Sequence, residues 1–237
     1  MKALQIYPKP FIYVFFAFIA CTVIGTLTHE LGHIAVAQWL GYDTTLSYQS
    51  MHVDRNADRA ELHRLADPYF GELRTNRPFP TKKAFEAKRR QMHHNDFLIR
   101  LGGPLQTMLT GSIGLGILLY RRRISYADFN LTDWLLVFLS LFWLRQPSNL
   151  AHGLARRIFR GTGSWTGGDE WVIAYYLKWP LWSVSVLSGA IGFVIAACVI
   201  LFVIPGRYRV TFLIAGLLGG IAGFVSWMNY LGPYLLP

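Results

Sequence analysis

Thr28-His29-Glu30-Leu31-Gly32-His33 sets two imidazoles and a carboxylate inside one apolar run, residues 11–40. On a helix, residues four apart leave from one face, so His29 and His33 can hold one zinc ion while Glu30 stands beside them, free of the metal. That is half of a hydrolytic site. A histidine on an apolar helix is ordinarily a satisfied core residue, but a His, a Glu and a second His at membrane depth cost several kcal/mol with nothing to bind. A catalytic zinc takes three protein ligands and leaves one position open, and with H-E-x-x-H the usual third is a carboxylate. The two cysteines, Cys21 and Cys198, both fall in apolar stretches, so a cysteine-based site is excluded and the ligands must be His and carboxylate. The expectation is one Zn2+ per chain.

The elements that carry these residues are set by hydropathy. The chain has 237 residues, is 53% hydrophobic and 15% charged, and has a mean hydropathy of +0.31. Its apolar stretches exceed what a soluble core of this length needs. They predict an all-α, polytopic membrane helix bundle of about five transmembrane helices, near residues 11–40, 97–120, 131–144 (extending to 150), 181–204 and 210–230. Residues 1–237 read as a single membrane-embedded domain, with a polar cytoplasmic loop at about 41–96. Lys2 and Lys9 followed by an apolar stretch resemble a signal sequence, and Phe18-Ile19-Ala20-Cys21 resembles a lipoprotein cleavage site. Cleavage would cut the helix that carries the pentad, and the run outlasts a signal h-region, so both are rejected.

The net charge is +10, but Lys and Arg lie mainly between apolar stretches, where anionic lipid headgroups are the simpler partner. Nucleic-acid binding is not expected. With five spans, the loops at 41–96 and 145–180 share one side with the C-terminus and hold fifteen Lys and Arg, while the other side holds seven. The richer side is expected to be cytoplasmic, which places the site near the cytoplasmic face of a plasma or inner membrane. Within 41–96, His52, His63, His93 and His94 lack ligand spacing and read as surface residues, and residues 82–94 read as a basic, solvated flank. Gly216, Gly219, Gly220 and Gly223 line part of the last span. They suit a homodimer face, although packing within one chain is the commoner use.

Span parity brings His29, His33, Gly102-Gly103-Pro104, Asn149 and Asp169 to one depth. The 145–180 loop offers only Asp169 and Glu170 as acids. Asp169 follows Gly167-Gly168, which lets the backbone turn toward a metal, and it is the expected third ligand. The plainer reading makes it the cap of the helix that follows. Glu170 is the fallback ligand, and His152 comes after it.

These residues together resemble the site-2 protease family of intramembrane zinc metalloproteases. The resemblance rests on His29-Glu30-Leu31-Gly32-His33, on Gly102-Gly103-Pro104-Leu105 near the start of the next span, and on Gly168-Asp169. That family places its third ligand in an Asn-x-x-Pro-x-x-x-Leu-Asp-Gly stretch. Here Asn149-Leu150 is similar to its beginning, but twenty residues separate Asn149 from Asp169, and Glu170 follows where the family has Gly. The resemblance implies hydrolysis of a peptide bond in or beside the membrane, in a membrane-protein substrate. Glu30 would take a proton from water and pass it to the leaving amine. Asn149 would steady the oxyanion or the unwound substrate, or else cap its helix. Two other classes stand beside this one. A metal-ion transporter would gather ligands along a midplane pathway, and a catalytically silent scaffold would not need Glu30.

Overall fold

The computed structural model describes residues 5–124, 129–161 and 168–237. Helix α1 (Pro8–Trp39) leads into a hairpin of β1 (Thr44–Leu46) and β2 (Met51–Val53), paired antiparallel with Thr45 opposite His52. Then come α2 (Asn56–Ala66), α3 (Phe70–Arg74), α4 (Lys82–Ile124), α5 (Leu131–Ser140), α6 (Arg145–Arg160), α7 (Asp169–Tyr176), α8 (Ser183–Cys198), α9 (Arg209–Ser226) and α10 (Gly232–Leu235). A 3-10 turn, Leu141–Leu144, joins α5 to α6, and π-helical turns prolong α8 and α9. The architecture is all-α apart from the short hairpin.

Three helices among the described residues are long and apolar enough to cross a membrane: Pro8–Trp39, Ser183–Val203 and Gly206–Leu235. The other two expected spans look different. Residues 97–120 form the second half of the 43-residue α4, where Gln106, Thr107, Thr110 and Ser112 dilute the hydropathy. Residues 131–140 form only ten residues of α5 before the 3-10 turn. The basic flank at 82–94 is helical, the first turns of α4. Large apolar side chains such as Phe16, Phe193, Phe202 and Leu217 face outward, a surface that suits lipid.

The long helices run between two ends. At one end the Tyr7 N–H donates to Thr211 Oγ1 (3.1 Å), Tyr7 meets Tyr208 edge-on, and Trp134 stacks on Phe212. There Asn130 and Asp133 form a reciprocal capping box at the start of α5, and Arg121 reaches Asp133. At the other end the Tyr48 N–H donates to Leu236 O and Trp227 Nε1–H donates to Tyr48 O, both at 2.8 Å, which ties the hairpin to the C-terminal segment. Residues 121–124, 129–134 and 205–211 thus lie with the N-terminal end, and the hairpin lies with the C-terminal segment.

Small residues set the approach of the helices. A Cβ added at Gly32 of α1 would fall 2.6 Å from the Gly102 carbonyl oxygen of α4, so the two backbones touch there. Gly216, Gly219 and Gly223 of α9 lie against Phe18, Phe15 and Ile19 of α1, so three of the four glycines in that stripe are used within the chain. The buried apolar core, including Val14, Leu118, Val137, Val199 and Phe212, lies toward the N-terminal end.

Candidate metal centre

α1 carries His29, Glu30 and His33 in its second half, all buried. Their relation follows from helix geometry alone: His29 and His33 point from one face, their rings 4.8 Å apart and at 87°. Gly103 of α4 faces them, and a Cβ there would fall 2.6 Å from His29 Nε2. A residue larger than glycine would occupy the space in front of the imidazoles.

Asp169 is brought to the pair from α7. Its Oδ2 lies 3.1 Å from His29 Nε2 and 3.2 Å from His33 Nε2, and its Oδ1 accepts from Arg100 Nη1 at 3.0 Å. Gly168 precedes it at φ +75°, ψ −153°, a conformation essentially confined to glycine, and this turns the chain into α7. Gly167 lies outside the described residues. Gly168, not Asp169, is the N-cap, and among the described residues no side-chain hydrogen bond caps α7 there. Asp169 is the first helical residue, with its carboxylate directed at the imidazoles and Arg100. Tyr176 at the far end of α7 stacks on Phe97 and hydrogen-bonds His94 Nδ1 at 2.8 Å, docking α7 onto α4.

The other nitrogen of each imidazole is committed. His33 Nδ1 lies 2.6 Å from the Ile99 carbonyl oxygen and 3.2 Å from the Gly103 N–H, and the shorter contact, to an atom that can only accept, favours the proton on Nδ1. The Thr107 hydroxyl donates to Gly103 O at 3.0 Å, and its oxygen is therefore free to accept from His29 Nδ1 at 3.0 Å. For neutral imidazoles both Nε2 atoms then present lone pairs to the same carboxylate oxygen, an arrangement that is repulsive unless a cation sits between them. Tetrahedral zinc, with bonds of about 2.0–2.2 Å, sets neighbouring donors about 3.3–3.5 Å apart. The observed separations come within a few tenths of an ångström, so the residues fit a bound metal. Glu30 also has a carboxylate oxygen within 4.8 Å of the histidine donors. Asp169 Oδ2 meets both Nε2 atoms, at 3.1 and 3.2 Å, and this convergence favours it as the third.

Asn149 and Glu170 form a second polar pair beside the site: Asn149 Nδ2 donates to Glu170 Oε1 at 3.3 Å, and Glu170 is buried. His152 meets the Phe224 ring edge-on. Neither Glu170 nor His152 is hydrogen-bonded to the imidazoles among the described residues. Sequence reasoning missed Arg100, Thr107 and Arg145. Arg100 left a signal, being the sole charge in residues 97–120, because such a charge in an apolar stretch calls for a partner. Arg145 Nη2 stands 3.9 Å from Glu30 Oε1.

Beside the centre lies a cavity of about 650 Å³, walled by apolar side chains that include Phe18, Phe138, Phe212 and Leu217 and reaching Thr107, Arg145 and Asn149. Thr107 connects its wall to His29, and Arg145 connects it to Glu30. Compared with protein families, with curated proteins and with solved structures, the chain matches none.

Proposed function

We propose that the chain is an intramembrane zinc metalloprotease that hydrolyses peptide bonds of membrane-spanning or membrane-proximal substrates, with His29, His33 and Asp169 holding one Zn2+ and Glu30 as general base. The observation that carries this reading is the convergence of His29 Nε2 and His33 Nε2 on Asp169 Oδ2, with both Nδ1 atoms already engaged. When bound, zinc supplies a Lewis acid that acidifies water and polarises a carbonyl. Glu30, next to His29 and facing the backbone of Met51 in β2, takes the proton of the attacking water and delivers it to the leaving amine. Gly103 keeps the front of the imidazoles open, and the apolar cavity suits a membrane segment. Five membrane crossings, with the centre near the cytoplasmic face, complete the proposal. Among the described residues no second cluster of three or more potential ligands stands elsewhere, which disfavours a transport pathway with successive sites.

The test is Glu30→Gln in purified, zinc-loaded protein. Zinc is expected to stay bound while hydrolysis of a membrane-spanning peptide falls by more than about a hundredfold. Retained hydrolysis would remove Glu30 as the base, and zinc flux abolished by the same change would favour transport.

A further inference from the structure

We infer that Arg145 is the group that binds the carbonyl oxygen of the scissile peptide bond and holds the negative charge developing on it. This rests on the hydrolytic reading of the metal centre and adds the substrate contact which that reading lacks. Arg145 begins α6, directly after the 3-10 turn, and its side chain lines the apolar cavity. Its Nε is buried and has no hydrogen-bond partner among the described residues. Its carboxylate neighbour is Glu30, at 3.9 Å from Nη2, beyond hydrogen-bond length. A guanidinium has five donors in a fixed planar fork, and burying one with donors unmet costs free energy that an incoming anionic oxygen would recover.

Asn149, the residue expected to steady an oxyanion, gives one of its two Nδ2 hydrogens to Glu170 and brings no charge to set against a developing anion. Asp169 gives its outer oxygen to Arg100, so Arg145 acts on Asp169 and Glu170 through its charge alone, with no hydrogen bond to either among the described residues. Arg145 therefore stands between the base and the space open to a polypeptide, where a positive donor fixed before reaction is worth most.

The chemistry balances. The water oxygen forms a bond to the carbonyl carbon as Glu30 accepts its proton, and the carbonyl π pair moves onto the oxygen facing Arg145. When that pair returns, the C–N bond breaks, the amine leaves with the proton from Glu30, and the carboxylic acid formed gives its remaining proton to the amine, so that a carboxylate and an ammonium are released.

The probes are a membrane-spanning Leu/Ala peptide with a central Gly-Asn pair and its analogue with a phosphinate in place of the peptide group between them. Both are measured on zinc-loaded protein in detergent, with zinc content read by mass spectrometry. Arg145→Gln is expected to keep zinc, to bind the peptide as wild type does, and to lose about a hundredfold or more in both kcat and phosphinate affinity. Arg145→Lys should recover part of the loss. A role confined to positioning Glu30 is separated in the Glu30→Gln background, where adding Arg145→Gln should still weaken phosphinate binding. Equal phosphinate affinity with and without Arg145 in that background overturns the proposal. Wild-type protein that cleaves, with Arg145→Gln cleaving equally well, overturns this proposal alone. Wild-type protein that neither cleaves the peptide nor binds the phosphinate overturns the hydrolytic reading and this one with it. Zinc lost in both Arg145 variants would make the residue structural and also overturn it.

Discussion

Asp169 Oδ2 lies 3.1 Å from His29 Nε2 although 140 residues separate the two in the chain. Asp169→Ala is accordingly expected to lower zinc affinity by more than about a hundredfold, beyond what losing an outer-shell partner costs. Glu170→Gln, which keeps the shape of the Asn149 contact, should leave zinc in place. Metal content after dialysis against a graded chelator measures both. A folded Asp169→Ala protein with full zinc, weakened only by the roughly 1 kcal/mol of a lost helix-end contact, would return the residue to a structural role.

Thr107 accepts from His29 Nδ1 while its own proton goes to Gly103 O. Thr107→Val removes the acceptor at nearly constant volume, so the imidazole loses the contact that orients it. A drop of about 10–100-fold in zinc affinity is expected, with the helical content unchanged by circular dichroism. Unchanged affinity would mean that Gly32, Gly102 and the helix contacts alone orient His29.

Outside the membrane helices, Lys88 binds Asp58 at 2.8 Å and Glu61 at 2.7 Å, and Tyr42 Oη donates to Asp58. Burial alone would raise the Asp58 carboxyl, but the Lys88 and Tyr42 hydrogen bonds outweigh it and hold it below the usual range. Lys88 is pushed above the usual lysine range by its hydrogen bonds to Asp58 and Glu61. A lowered carboxyl stabilises the fold above its ordinary value and stops doing so as pH falls through its folded one. Lys88→Met is therefore expected to cost about 1.5–3 kcal/mol near neutral pH, with the difference from wild type narrowing below about pH 4. Thermal unfolding across pH checks it, and a difference constant with pH would show that Asp58 does not carry the coupling.

The proposed topology rests on the distribution of charge. Reporter fusions after Gly41 and after Gly161 are both expected to read as cytoplasmic. Opposite readings at the two points would refute the five-crossing arrangement.

The relation of His29, Glu30 and His33 was legible in the sequence because a single helix sets it: a period of 3.6 residues fixes which side chains share a face, whatever surrounds them. The apolar runs likewise announced long helices, since a stretch of that length and composition has few other folded uses. Asp169 was legible only in part. Span parity set it at the depth of His29 and His33, but whether it capped α7 or faced the imidazoles depended on the turn at Gly168 and on Tyr176 docking against Phe97 and His94. Thr107 and Arg145 were not legible as members of the site, and Arg100 was legible only as a lone charge in need of a partner. Their places depend on how closely α4 approaches α1 at Gly32 and Gly102 and on the 3-10 turn that swings α6 toward Glu30. The break at residues 141–144 has no local marker, because Leu, Phe, Trp and Leu suit a helix as well as a 3-10 turn. Contacts between helices arise from backbone approach and crossing, which no periodicity along one helix encodes, so the tertiary structure alone decided which polar side chains surround the candidate metal centre.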